Sequence, residues 1–208
     1  HMRAYKKSAE KNAINSHNSL PYYSAKPKKP IRFFTEEMRA KGYYCTNNSK
    51  EDYNMITSPL AWDESSQTAH WRNRKEGQPF FSVFNFNVTH ESRVWKNEAP
   101  YSKEELENVV NPYLFPDDSG IRGDLLTNYK NIEKLDAQIG VIIGQLKADG
   151  LYENTIIFFF SDHGGPFPRY KRSIYETGLR VPMVAKWIDD TLIAVSYTHL
   201  TLPTKVSV

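Results

Sequence analysis

The sequence predicts an α/β fold, a sandwich with a largely parallel central sheet between helix layers. A long helix is indicated by apolar residues that recur at steps of three and four from Ile121 to Leu146, before Gly150 supplies the stop. The segment TIIFFF at 155–160 is apolar without alternation, which is typical of a strand covered on both faces. The order of strand, helix and strand around these segments therefore favours a parallel sheet.

Composition fits a globular chain with a sizeable core. The 208 residues are 39% hydrophobic and 13% aromatic, and the net charge of +3 gives no strong case for a nucleic-acid partner. No run approaches the roughly 18 apolar residues of a membrane span. Cys45 is the only cysteine, which excludes an internal disulfide and a multi-cysteine metal site.

The elements before the long helix follow from local patterns. Residues 1–30 are polar, basic and rich in proline, and are predicted to be extended. A short helix is predicted from about Thr35 to Gly42, with a strand through Tyr44 and Thr46 after it. A second strand is predicted to end near Thr89.

Two further elements complete the prediction. Ser102 and Glu105 have the spacing of a capping box, which predicts a short helix. The segment VPMVAKW at 181–187 is a candidate for one more strand, after a long loop.

Polar side chains follow several of the predicted strands. Lys50, His90, Asp162 and His163 each come after a strand, and ligands of open α/β sheets bind outside the carboxyl ends of strands. We therefore expect these four residues to converge on one edge. From spacing alone, it is equally possible that Asp162 only caps the following turn and that His163 only lies on the surface.

Two blocks carry a resemblance to a known family. The block NTIIFFFSDHGG followed by KRSIYETGLRVPMV resembles the sulfatase family of the alkaline-phosphatase-like superfamily. The long helix and GYYCTNNSK are similar to family segments as well, so that the resemblance covers about residues 30–188. SDHGGPFPR and FNFNVTHES indicate the branch of heparan N-sulfatase-like and bacterial glycan sulfatases. The fold that this implies is alkaline-phosphatase-like, incomplete in this chain.

The resemblance implies roles for individual residues. Lys171 matches a lysine that holds the sulfate and the leaving oxygen, Lys50 an earlier lysine on the same anion, and His90 a histidine that assists departure of the leaving group. Asp52 stands where many relatives have a second histidine, and no role is assigned to it.

The resemblance also implies a divalent-cation site. Asp162 and His163 match metal ligands, and the family metal is normally calcium. Asp162 suits calcium well, whereas a histidine at the second position is also found in zinc- or manganese-using phosphatase relatives.

Part of the family pattern is absent from the sequence. Sulfatases use a formylglycine made from a Cys/Ser-x-Pro-x-Arg motif, and Cys45 is followed by TNNS, so it is not the nucleophile. We expect the formylglycine and two further metal-ligand aspartates upstream, which makes residues 31–190 a partial catalytic domain and the chain itself inactive. Residues 191–208 lack family resemblance and are interpreted as a non-native tail, so His199 receives no function.

The resulting hypothesis is that the chain is a fragment of a sulfuric ester hydrolase. Its partner would be a sulfated carbohydrate that carries O-sulfate or N-sulfate. The family resemblance implies a periplasmic or extracellular location. One alternative is a phosphodiesterase or phosphonate hydrolase of the same superfamily, favoured by His163. Another is a non-catalytic protein that binds anionic glycans through Trp71, Arg72 and Arg74, although these residues also fit a partly buried loop.

Overall fold

The computed structural model describes residues 32–53, 55–95 and 100–188, and the backbone of 192–195. The chain divides into two compact units, the first ending at Asn85 and the second beginning at Phe86. The predicted extended segment 1–30 lies outside the described residues.

The first unit contains a parallel sheet of three strands in the order β2-β1-β3. Strand β1 (Tyr44–Asn48) lies in the middle, with β2 (Glu64–Ser65) on one side and β3 (Phe80–Phe84) on the other. Helix α1 (Phe34–Ala40) precedes β1, as the sequence predicts. The second predicted strand is shorter than expected, because β3 ends at Phe84 rather than near Thr89.

The middle strand forms the core of the first unit. Cys45, Thr46 and Asn47 are buried, and hydrogen bonds from neighbouring strands satisfy the polar side chains among them. The Thr46 hydroxyl donates to Ser82 Oγ at 2.8 Å, and Asn47 Nδ2 donates to Ser65 Oγ at 3.0 Å. These bonds fix the strand register, because a polar group left unpaired in the core would cost about 1–3 kcal/mol.

The second unit contains a long helix and an antiparallel sheet. Helix α2 (Lys103–Glu107) begins with the predicted capping box of Ser102 and Glu105. Helix α3 (Ser119–Ala148) follows, and its Asp118 side chain accepts from the amides of Gly120 and Ile121. Gly150 at φ +68° follows the end of α3, as the sequence predicts. Among the described residues, no helix is long and apolar enough to cross a membrane.

One buried cluster joins these helices to the loops around them. Val94, Val109, Leu125 and Phe167 form its centre, and Phe167 meets the ring of Tyr170 at 6.0 Å. The cluster therefore anchors both the segment after His90 and the loop that carries Lys171.

The prediction of a parallel, doubly covered strand at 157–160 is wrong for the described unit. Strand β4 (Ile157–Phe160) pairs antiparallel with β5 (Met183–Lys186), which pairs antiparallel with β6 (Leu192–Val195). The side chains of Phe158 and Phe160 are 53% and 62% exposed, so one face of β4 is open in this unit.

The connection between β4 and β5 explains the direction of pairing. Two consecutive strands can pair in parallel only if the connection crosses over to the end of the sheet where the first strand began. Here the loop at 161–182, which holds the short helix α4 (Glu176–Leu179), folds back on itself through a bond from Gly164 N–H to the Gly178 carbonyl at 3.0 Å. The described residues thus support an α/β fold with a parallel sheet, and neither unit by itself forms a sandwich between two helix layers. That residues 191–208 are non-native stays a prediction.

Candidate functional site

His90 lies at the start of a short 3-10 helix at Glu91–Arg93 and caps it with its own ring. The Ser92 amide donates to Nδ1 of His90 at 3.3 Å, and Ser92 Oγ lies 2.9 Å from the same atom. A ring nitrogen that accepts a hydrogen bond carries no proton, so the neutral imidazole has its proton on Nε2. His90 is thereby held as a donor through Nε2.

The side chain of Lys171 meets this donor. Its Nζ lies 3.4 Å from Nε2 of His90, and only 17% of the Lys171 side chain is exposed. An ammonium is a donor without a lone pair, and the assigned Nε2 is also a donor. Two donors side by side create a position that suits an acceptor, such as an oxygen of an anion.

A carboxylate that the sequence interpretation missed lies beside both groups. Glu91 Oε1 is 3.5 Å from Lys171 Nζ, and the Arg172 guanidinium donates to both Glu91 oxygens at 3.0 and 2.6 Å. Burial alone would raise the pKa of Glu91, but the hydrogen bond from Arg172 and the charges of Lys171 and Arg172 outweigh it and lower this pKa below its usual value. Glu91 is therefore held as a carboxylate.

Close backbone approach shapes the loop that presents Lys171. A Cβ at Gly164 would lie 1.9 Å from the Thr177 carbonyl oxygen, which no larger residue could accept. The Lys171 amide donates to the Gly165 carbonyl at 3.1 Å. Gly164 is thus needed where the loop packs against itself, and the bond to the Gly165 carbonyl ties the Lys171 backbone to the segment that follows β4.

Asp162 and His163 follow β4, as predicted. Asp162 Oδ2 lies 3.5 Å from His163 Nε2, while Nδ1 of His163 is 2.8 Å from the Gly164 carbonyl oxygen. A carbonyl can only accept, so Nδ1 carries the proton and the neutral ring has its lone pair on Nε2. Two lone-pair atoms then face each other, an arrangement that one cation can bridge.

These two residues fit part of a metal site. Within the described ranges, no group of three or more His, Cys, Asp and Glu side chains could hold a metal ion. Asp162 and His163 therefore supply two donors of the kind a divalent cation needs, and the described residues do not complete the set.

The remaining predicted catalytic residue lies in the first unit. Lys50 follows β1, its carbonyl accepts from Asn47 Nδ2 at 3.2 Å, and its Nζ is 3.9 Å from Asp52 Oδ2. The structure brings His90 together with Lys171, and Asp162 together with His163. Whether Lys50 joins them stays a prediction.

The three residues proposed for glycan binding have structural partners. The Trp71 ring is 2% exposed and packs against Phe80 and Phe84. Arg74 donates to the carbonyls of Trp71 and Gln78, both at 2.9 Å, whereas Arg72 is exposed. In this structure the Trp71 ring is not accessible for stacking on a sugar.

The cysteine has the environment of a core residue. Cys45 is fully buried, and burial raises the pKa of its thiol to about 11, with a further contribution from Asp63. A nucleophilic thiol needs a lowered pKa and solvent access, so the structure supports the prediction that Cys45 is not the nucleophile.

The chain was compared with known protein families. The Sulfatase family model matches residues 14–199. The chain belongs to the sulfatase family. The matched range includes the block around Asp162 and Lys171 that carries the resemblance.

Individual sulfatases show how much of the family protein is present. An ulvan-active sulfatase of Formosa agariphila is 41% identical over 85% of this sulfatase chain and 35% of its own length. N-sulphoglucosamine sulphohydrolase of Homo sapiens is 30% identical over 41% of the chain and 17% of its own length. N-acetylgalactosamine-6-sulfatase of Canis lupus familiaris is 27% identical over 56% of the chain and 21% of its own length. The chain thus spans about a third or less of the curated sulfatases that it matches.

Proposed function

We propose that these residues belong to the catalytic domain of a sulfatase that removes O-sulfate or N-sulfate groups from glycans. The observation that carries the proposal is the 3.4 Å approach of Lys171 Nζ to His90 Nε2. From the amide bond of Ser92 to Nδ1 we infer that Nε2 is a donor as well. An anionic group bearing several oxygens is the ligand that such a pair of donors would bind. The family match and the names of the relatives support a sulfate group as this ligand.

His90 is proposed as the proton donor. When the bond between sulfur and the leaving oxygen or nitrogen breaks, negative charge develops on the leaving atom. In this role the His90 ring would first take up a second proton, on Nδ1, where Ser92 Oγ at 2.9 Å can accept it. The Nε2 proton of this imidazolium would then pass to the leaving atom, which leaves a neutral ring that is later reprotonated from solvent. The Ser92 contacts to Nδ1 fix the orientation of the ring and leave Nε2 for this role.

Lys171 and Lys50 are proposed to bind the sulfate oxygens. A cation contributes most where negative charge grows in the transition state. Lys171 has little exposure, so its interaction with an anion would be screened by water less than that of a surface lysine. Lys50 is assigned the second contact to the anion from the family resemblance.

Asp162 and His163 are proposed to hold a divalent cation, which when bound would offset the charge of the sulfate group. The carboxylate of Asp162 suits calcium, whereas the Nε2 lone pair of His163 suits zinc or manganese. A formylglycine elsewhere in the whole protein is proposed as the nucleophile.

The proposal is tested on the whole protein that carries this sequence, with an aryl sulfate, ulvan and an N-sulphoglucosamine glycan as substrates. His90→Gln should lower kcat about 100- to 10,000-fold, because general acid catalysis contributes on that order. Lys171→Ala should lower kcat/KM by at least about 100-fold. Lys134→Ala removes an exposed lysine of α3 and serves as the matched control for charge, with activity within about 2-fold of wild type.

Two outcomes would reject the proposal. Full activity after replacement of both His90 and Lys171 would remove the site from the mechanism. Turnover of phosphodiesters or phosphonates in place of sulfates would favour the alternative enzyme class. Sulfate release that depends on His90 and Lys171 would support the proposal against both.

A further inference from the structure

We propose that Glu91 is a positioning residue that holds the Lys171 ammonium beside Nε2 of His90. The inference rests on the proposed function, in which Lys171 and His90 act on one sulfate group. Glu91 directly follows His90 in the sequence and lies 3.5 Å from Lys171 Nζ. It thus connects the histidine segment with the lysine loop.

The connection is rigid because Arg172 holds the carboxylate by two hydrogen bonds. A bidentate pair of guanidinium and carboxylate fixes orientation as well as distance. Only 18% of the Glu91 side chain is exposed, whereas Arg172 is 72% exposed. The carboxylate is therefore the enclosed partner, and Arg172 closes over it from the solvent side.

The backbone at Arg172 supports the same interpretation. Arg172 has φ of +69°, a left-handed conformation that residues with a Cβ rarely adopt. This conformation is maintained while the side chains of two neighbours, Lys171 and Arg172, both reach Glu91. Such conformations persist where surrounding contacts over-determine them, and the contacts to Glu91 are of that kind.

The charges explain why a carboxylate is required. Lys171 and Arg172 carry like charges on adjacent residues, and Lys171 also approaches a second nitrogen donor on His90. Without an anion present, these groups would repel each other. Glu91 offsets this repulsion, so that Lys171 stays next to His90 before a sulfate group arrives.

Glu91→Gln is the central variant, because it removes the charge with almost no change in shape. Glu91→Asp keeps the charge and shortens the side chain. Glu107→Gln is the control, since Glu107 is an exposed residue of α2 that pairs with Lys103 at 3.6 Å, a surface pair of little expected energy.

The first readout needs no enzymatic activity. In the 208-residue chain, hydrogen exchange at the Lys171 and Ser173 amides, which donate to Gly165 and Tyr170, should accelerate about 10-fold in Glu91→Gln. The ¹⁵N resonance of His90 Nε2 should shift as the ammonium moves away. Glu107→Gln should change neither measurement, and Glu91→Asp should change both by less than Glu91→Gln.

The second readout uses the whole protein. Glu91→Gln should lower kcat about 10- to 100-fold, because small displacements of a positioned group cost rates of this order, with KM changed less than about 3-fold. Glu91→Asp should recover part of the loss. A merely structural role would instead lower the melting temperature and leave kcat intact below it.

The outcomes separate this inference from the proposed function. If the whole protein shows no sulfatase activity, exchange and the His90 resonance still decide the inference about Glu91. Unchanged exchange and an unchanged His90 resonance in Glu91→Gln would overturn it, as would a kcat within about 3-fold of wild type. If Glu91→Gln does not fold, Arg172→Gln is the second variant, because it releases the same carboxylate from its partner. Arg172→Gln is expected to accelerate amide exchange. Unchanged exchange in that variant would overturn the inference.

Discussion

Nζ of Lys171 lies 3.4 Å from Nε2 of His90, although the two residues are 81 positions apart in the sequence. The Ser92 amide places the His90 proton on Nε2, so the two facing atoms are both donors. His163 has the opposite arrangement, because its Nδ1–H donates to the Gly164 carbonyl and the lone pair of the neutral ring lies on Nε2. The second unit therefore contains one histidine whose neutral ring has its proton on Nε2 and one whose neutral ring has its lone pair there.

Cys45 should be inert in the folded chain. Its buried thiol has a pKa raised to about 11, so the fraction of thiolate near pH 8 is small, and solvent access is lacking as well. We expect labelling by a disulfide reagent to be at least about 100-fold slower in the native chain than in urea. Fast native labelling would show that the region around β1 opens readily.

Lys186 should contribute more to stability than Lys147, although both lie over the ring of Tyr152. Lys186 is 4% exposed and donates to the Tyr152 carbonyl at 2.8 Å. Lys186→Met would leave that carbonyl without its donor, so we expect a loss of about 1–3 kcal/mol. Lys147→Met removes only a contact at 4.6 Å and should cost less than about 1 kcal/mol. Equal losses in urea unfolding would contradict the difference in burial.

Glu91 should make stability depend on pH in the acidic range. Its pKa is lower in the folded state than its usual value of 4.5, so its contribution is fully present above that value and is lost as the pH falls through the folded pKa. Lys171 and Arg172 are the cations that face the carboxylate. The stability difference between wild type and Glu91→Gln should therefore shrink between about pH 6 and pH 3. A difference that is constant over this range would contradict the ion cluster.

His163 should influence which metal the whole protein prefers. Its Nε2 lone pair favours zinc or manganese, whereas an amide oxygen in its place would favour calcium. His163→Asn should weaken zinc binding about 10-fold or more relative to calcium, as measured by calorimetry on metal-free protein. Asp162→Asn is expected to weaken the binding of all three metals. An unchanged preference in His163→Asn would place His163 outside the metal site.

Local patterns predicted much of the fold because their causes are local. The capping box at Ser102 and Glu105, the end of the long helix near Gly150 and the strand at Tyr44 each depend on a few neighbouring residues. The direction of β4 depends on the path of the loop that follows it. An apolar run such as 155–160 suits a parallel or an antiparallel neighbour equally well, so the sequence pattern could not decide it.

The site shows the same distinction. His90, Asp162, His163 and Lys171 were found through motifs, but Glu91 and Arg172 were missed. Acidic and basic residues next to catalytic ones are usually solvated, and only the fold shows that Glu91 is enclosed between Lys171 and Arg172. An acid directly after His90 and two consecutive cations at 171–172 were the available signals in the sequence.

The central claim is that His90 and Lys171 form one anion site with the proton on Nε2. The most direct measurement is the ¹⁵N–¹H spectrum of the His90 ring at neutral pH, recorded with increasing sulfate for wild type, Lys171→Ala and the control Lys134→Ala. We predict a pyridine-type Nδ1 and a protonated Nε2 whose resonance shifts on addition of sulfate in wild type and in Lys134→Ala, but not in Lys171→Ala. A protonated Nδ1, or a response to sulfate that persists unchanged without Lys171, would contradict the account.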